Sequence, residues 1–241
     1  MLANPKFYGV VAEIDGRVVG SNFLDERNPI AGVGPITVDP AVQNRAVGRR
    51  LMDAVHDRAA ANNFAGVRLI QAGFHTRSLA LYAKLGYDVR EHLACMQGNA
   101  LNIAIEGHIV RPAAEADVDA CNRVCRQMHG HERDGELRDA IARGNATVVE
   151  HDGRVTGYAT IVGFFGHAVG ETNADVKGSS ALQKNSPDQV FFCRRATATF
   201  PLVPDERFTS YAANDFDESR PVQRTSRRIP AIDTVLIAIS D

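Results

Sequence analysis

Between Gln43 and Arg49 the chain reads Gln-Asn-Arg-Ala-Val-Gly-Arg, directly after the β-rich run Gly32–Pro40 and directly before a stretch with helical spacing. A strand that delivers a short loop to a helix N-terminus leaves unpaired backbone N–H groups and the positive end of the helix dipole facing an incoming anion. A diphosphate fits such a site. Gly48 allows close approach of backbone to phosphate, and Arg45 and Arg49 add charge-assisted donors. Ala46 adds one methyl group, which the loop accommodates if its backbone stays at negative φ. The competing reading is an ordinary strand-to-helix turn with solvated arginines. Further along, HTRSLALYAKLGYDV, helical by the spacing of Leu81 and Leu85, contains His75, Ser78 and Tyr82. Histidine can donate a hydrogen bond. The Tyr82 phenol can give a proton to a departing group, or pack as a core residue beside Leu85.

These residues sit in a chain of ordinary globular composition. Hydrophobic residues make up 44% and charged residues 23%, which argues against wholesale disorder. A net charge of -2 and a pI near 6.4 give no basic excess for nucleic acid. No apolar run approaches a membrane span and the first residues lack a signal peptide's pattern, so a cytoplasmic protein is expected. Cys95, Cys121, Cys125 and Cys193 fall into no zinc or secreted-disulfide spacing and read as free thiols. His129 and His131 lack a cysteine or carboxylate cluster at ligand spacing, so no metal is assigned.

The elements that position the candidate residues follow from period and punctuation. EIDGRVVG at Glu13–Gly20 returns as EHDGRVTG at Glu150–Gly157, an offset of 137 residues, and each copy joins two apolar runs through Asp-Gly, a strong hairpin signal. The run through Ile36, Thr37 and Val38 is a strand stopped at Asp39-Pro40. Val47, Leu51, Val55 and Ala59 recur at every fourth position and define a helix. VRLIQAGF reads as a buried strand, SLALYAKLG as a helix capped by Gly86, and YDVREHLACMQG as a further strand. The first hundred residues thus have the order β-β-β-α-β-α-β. The second unit opens instead with a strand-like IVRPA, an amphipathic stretch from Glu115 to about Met128 and a helical ELRDAIARG before its own hairpin. Unit one is therefore expected to lack an opening strand and helices that unit two has.

With these residues in place, ITVDPAVQNRAVGRRLMDAV resembles the acetyl-CoA motif of the GNAT (GCN5-related) N-acetyltransferase family, and HTRSLALYAKLGYDV resembles the helix motif that follows it. The resemblance spans roughly Phe7 to Gly98. It implies an α/β GNAT (acyl-CoA N-acyltransferase) fold, with a mixed central sheet flanked by helices and a partial tandem repeat. Acetyl-CoA is implied as co-substrate, with a small-molecule or peptide amine as acceptor. The family's Gln/Arg-x-x-Gly-x-Gly/Ala pattern falls on Gln43, Asn44, Arg45, Ala46, Val47 and Gly48, with Arg49 next, and Ala46 departs from the first glycine. Ile36, Thr37 and Val38 match the strand whose backbone pairs with the pantetheine arm. His75, Ser78 and Tyr82 match Asn-x-x-Ala/Ser-x-x-x-Tyr, with His75 in place of asparagine. Tyr82 is implied as the acid that protonates the departing thiolate. Glu13, Asp25 and Glu26 lie on or after the hairpin, and none is assigned as base.

The implied organisation is a GNAT domain at 1–100 that retains its acetyl-CoA site, the N-terminal part of a second at 106–177, and a tail at 178–241. Beyond Lys177 the pattern stops, and Arg, Ser, Thr and Pro alternate without either period. Reverse translation in a shifted frame lets Leu182–Thr199 spell AKEFAGPGFFLPTRNGD, which resembles tandem relatives. A second shift from about Leu202 gives another such string. The tail is accordingly expected to be out of frame, by a base lost near Lys177 and another near Phe200, or disordered.

Overall fold

The structure, a computed structural model, describes residues 3–98, 104–161, 166–181, 189–194, 208–210 and 233–239. Most of the segment 178–241 expected to be out of frame lies outside the described residues. In chain order the elements are β1 (Phe7–Ile14), β2 (Arg17–Asp25), β3 (Ile30–Val33), β4 (Thr37–Val38), α1 (Val47–Ala61), β5 (Gly66–Ala72), α2 (Thr76–Lys84) and β6 (Tyr87–Gly98). They continue with β7 (His108–Pro112), α3 (Val118–His129), α4 (Asp134–Ala142), β8 (Thr147–His151), β9 (Arg154–Ala159), β10 (Ala168–Gly170), α5 (Asn173–Ala181), β11 (Gln189–Arg194), β12 (Phe208–Ser210) and β13 (Asp233–Ile239). Two compact units result: residues 1–71, 75–90 and 236–241, and residues 72–74 with 91–235. Among the described residues no helix is long and apolar enough to cross a membrane.

In the first unit, β1, β2 and β3 form antiparallel neighbours and β3 runs parallel to β5. The β1–β2 turn places Asp15 at φ 50° and Gly16 at φ 74°, the paired positive-φ geometry that Asp-Gly favours. The expected third strand is interrupted. Gly34 at φ 123° and Pro35, which has no N–H to donate, separate β3 from β4, and β4 pairs with β2 rather than continuing along β5. Asp39 then caps a single 3-10 turn at Pro40–Val42 by accepting from the Ala41 N–H at 2.9 Å.

Helix α1 buries Val47, Leu51, Met52, Val55 and Ala59, the stripe its spacing predicts, and packs on β1 and β2. Two features of β2 fix it there. The fully buried Asn22 donates from Nδ2 to the Leu51 carbonyl at 3.1 Å. A Cβ on Gly20 would meet the Thr37 carbonyl oxygen at 2.7 Å and Leu51 Cδ1 at 3.1 Å, so only glycine lets β4 and α1 approach β2 together. Strand β5 alternates rather than being buried throughout: Val67, Leu69 and Gln71 are buried while Ile70 is exposed.

In the second unit, a four-stranded antiparallel sheet runs β10-β9-β8-β7. Its core joins Val118, Cys121, Val124 and Cys125 of α3 with Leu137 and Ala140 of α4 over Val148 and Tyr158. Burial pushes the Cys121 thiol up to about 12, as suits a thiol used for packing. The β8–β9 hairpin repeats the details of β1–β2. Asp152 and Gly153 have φ 51° and 72°, and the register shift at Val149/Glu150 lies 137 residues after that at Ala12/Glu13. Val148, the counterpart of Val11, is fully buried, whereas Val11 is 59% exposed.

Because the space beside Gly20 is already filled by backbone, Gly20→Ala is expected to destabilise the protein by about 1–3 kcal/mol, read by denaturant unfolding. The exposed Gly16→Ala changes no packing, since nothing lies within 4 Å of its Cβ position, and costs only the strain of placing alanine at positive φ.

Candidate active site

The loop from Gln43 to Ala46 is held from across α2. Arg77, in the first turn of α2, donates through one terminal nitrogen to Gln43 Oε1 at 2.8 Å and through the other to Asn44 Oδ1. Gln43 and Asn44 therefore spend their side chains on shaping the loop. Arg77 carries no signal in the family pattern, and its role is visible only once α2 lies beside the loop. Asn44 takes φ 72°, a conformation asparagine tolerates.

Ala46 is the N-cap of α1 and sits at φ 58°, ψ 11°. The expectation of a negative φ there is corrected: the backbone has the left-handed conformation that a glycine would favour, and the alanine methyl is carried against that preference. Alanine offers no side-chain acceptor, and the helical ladder begins with the Arg50 N–H donating to the Ala46 carbonyl at 3.0 Å. The amides of Val47, Gly48 and Arg49 thus open the helix without intrahelical acceptors, and no acidic residue occupies the first turn. Val47 contributes its amide alone, since its side chain is buried in the core with Val19 and Leu51. A Cβ at Gly48 would lie 3.6 Å from Leu81 and 3.7 Å from Val38, ordinary contacts, so packing within the protein does not demand glycine there. Arg45, Arg49 and Arg50 are exposed around the same end of the helix. Arg49 reaches Asp53 only at 3.9 Å with both half exposed, a weak pair that leaves the guanidinium available.

Thr37 and Val38 of β4 pair with Ser21 and Gly20 of β2 on one side. On the other side β5 has already left: its pairing with β3 ends at Gly32–Arg68. Among the described residues no strand pairs with Thr37 and Val38 on that side, so with Ile36 they form a strand edge.

His75 is the exposed N-cap of α2, without a side-chain capping hydrogen bond, and Ser78 is half-buried one turn into the helix. Tyr82 is 5% exposed, and burial raises its pKa, which keeps the phenol protonated through the neutral range. Its ring lies 5.8 Å from that of Tyr87, and the Tyr87 hydroxyl is 2.8 Å from His56 Nε2 on α1. Tyr87 and His56 are the second feature the sequence pattern did not disclose. They connect the Tyr82 ring to α1. Gly86 supplies the positive φ (89°) that ends α2 and turns the chain into Tyr87.

The acidic residues near the hairpin have other partners. Glu26 accepts from Arg58 at 2.6 and 3.0 Å and from Asn62 at 3.0 Å, and the Arg58 guanidinium holds its carboxyl below the usual range. Asp25 accepts from Arg27 at 2.7 and 2.9 Å. Glu13 is exposed on β1.

Residues 5–89, which hold the loop, both helices and Tyr82, match the family model described as an acetyltransferase (GNAT) domain. These residues are thus similar to a GNAT acetyltransferase domain. The fold of the chain matches that of a Pyrococcus horikoshii protein assigned as an acetyltransferase, with a TM-score of 0.59 at 15% identity, over 76% of this chain and 63% of that one. Two further similar structures are the ribosomal-protein-S18-alanine N-acetyltransferase of Escherichia coli and the PaiA N-acetyltransferase of Thermoplasma acidophilum in complex with coenzyme A. The first has a TM-score of 0.35 at 18% identity, over 41% of this chain and 60% of that one. The second has a TM-score of 0.35 at 17% identity, over 37% and 57%. This chain thus spans about three-fifths of the length of the structures it resembles. No curated protein sequence matches it.

The left-handed alanine at the head of α1 yields a direct check. Ala46→Gly relieves the conformation without removing a contact and is expected to raise stability by about 1 kcal/mol in denaturant unfolding. A loss of stability would show that residue 46 takes another backbone conformation.

Proposed function

We propose that this chain transfers the acetyl group of acetyl-CoA to an amine acceptor, a small molecule or a peptide. The observation that carries the reading is the start of α1: three amides without intrahelical acceptors follow an N-cap with no acceptor of its own, among exposed arginines and next to an open strand edge. That combination suits a diphosphate joined to an extended, amide-bearing arm. In this reading Val47, Gly48 and Arg49 donate main-chain hydrogen bonds to the diphosphate, with Arg45 and Arg49 as charged donors and Gln43 and Asn44 shaping the loop. Ile36, Thr37 and Val38 present backbone to the pantetheine arm, and His75 and Ser78 border the same ligand from α2. Acetyl-CoA supplies an activated thioester carbonyl.

Tyr82 then has a defined task. As the amine nitrogen bonds to the carbonyl carbon and the carbon–sulfur bond breaks, the phenol gives its proton to the departing sulfur. Burial keeps the proton on oxygen through the neutral range, so a donor is in place when the thiolate departs. The amine must itself lose a proton, and Asp25 and Glu26 are held by guanidinium groups. That occupancy favours one second reading, a domain that binds the coenzyme without turnover. We also propose that residues 106–177 repeat the first unit, on the strength of the matching turn angles and register shift.

Isothermal titration of the full chain with acetyl-CoA, together with thiol release over a panel of amines, tests the proposal. Binding with thiol release is the expected result, and binding without release supports the second reading. In the active case Tyr82→Phe is expected to lower turnover by about 100-fold while leaving coenzyme affinity within a factor of two. Unchanged turnover would remove Tyr82 as the acid.

A further inference from the structure

The last inward residue of β5 is a glutamine where the strand's alternation calls for an apolar side chain. The face it occupies follows from register. Asn22 contacts α1 through Leu51, Leu24 lies on the same side of β2 two residues on, and Leu24 pairs with Val33. Ala31 shares the face of Val33 and pairs with Val67. Val67, Leu69 and Gln71 therefore all face α1. Gln71 is 9% exposed, and among the described residues neither its Oε1 nor its Nε2 has a hydrogen-bond partner. A buried side-chain amide with both donor and acceptor unmade is an expensive choice where leucine fits the pattern, and such groups in native proteins call for a specific explanation.

Its position supplies one. Pairing between β3 and β5 ends at Gly32–Arg68, so Gln71 lies three residues beyond the last pair with β3, where β3 no longer covers that edge of β5. Four residues later His75 begins α2, which carries Tyr82. A partner for this side chain must offer one acceptor and one donor together, as an amide does.

We infer that the Gln71 side chain is a recognition element for the pantetheine arm of coenzyme A, its Nε2 donating to a pantetheine carbonyl and its Oε1 accepting from a pantetheine N–H. The inference rests on the proposed function and adds to it a side-chain contact. It implies that the ligand completes the core of the domain: Gln71 is a liability in the free protein and is satisfied in the complex.

The full chain is titrated with coenzyme A and with adenosine 3′,5′-bisphosphate, which lacks the pantetheine arm, for wild type, Gln71→Leu and the near-isosteric Gln71→Met. Both variants are expected to bind coenzyme A about 10-fold more weakly, as loss of one or two buried neutral hydrogen bonds requires, with bisphosphate affinity within a factor of two of wild type. Their free forms are expected to melt at or above the wild-type temperature, because an unsatisfied amide has been removed. Coenzyme A affinity unchanged in a folded variant would overturn the inference and leave the proposed function standing, since it would assign the orphan amide to packing alone. Equal losses for both ligands would overturn it too, by tracing the effect to the fold. A wild-type chain that binds neither ligand overturns both the inference and the proposed function.

Discussion

Everything proposed for this protein depends on how the first turn of α1 is held. A helix start carries unpaired amides wherever it occurs, but it becomes a binding surface only if the rest of the fold keeps water, side-chain caps and neighbouring acids from occupying it. Here the helix is pinned through its middle by Asn22 to the Leu51 carbonyl, and brought close to β2 by the missing side chain of Gly20. Its N-cap is an alanine in a left-handed conformation, with no oxygen to offer. Arg77 braces the preceding loop from α2. The proposed anion site is therefore a product of packing on three elements, although its donors are main-chain groups that any sequence possesses.

This explains which parts of the structure are legible in the sequence. The helix, its buried stripe and the two Asp-Gly turns are set by local period and by residues with restricted backbone choices, so they can be read without tertiary information. The break between β3 and β4 is signalled by Gly34-Pro35 but reads as one continuous run when only β-forming residues are weighed. The sign of φ at Ala46 is not readable at all, since alanine's own preference points the other way and tertiary structure overrides it. Arg77, Tyr87 and His56 are recognised only through partners remote in sequence, 31 to 34 residues away. Most of residues 178–241 stays outside the described structure, and the reading of that segment rests on its composition and on codon arithmetic.

Two positions break the local rules, Ala46 in its backbone and Gln71 in its buried amide, and both border the space assigned to the coenzyme. Departures of this kind gather where binding rather than folding decides the residue. The second unit offers a control within the same chain. Its hairpin has the same turn and the same register shift, yet Val148 lies beneath α3 and α4 while its counterpart Val11 is exposed. The same hairpin geometry thus serves two different surroundings, so the hairpin by itself carries no part of the site.

The central claim is that a diphosphate docks on the amides that begin α1. It is tested most directly by titrating the isotopically labelled chain with coenzyme A and following the backbone amide signals by NMR. The expected result is that Val47, Gly48 and Arg49 show the largest shifts and saturate together, while amides of the β8–β9 hairpin stay in place. Saturable binding with these three amides unmoved would contradict the account.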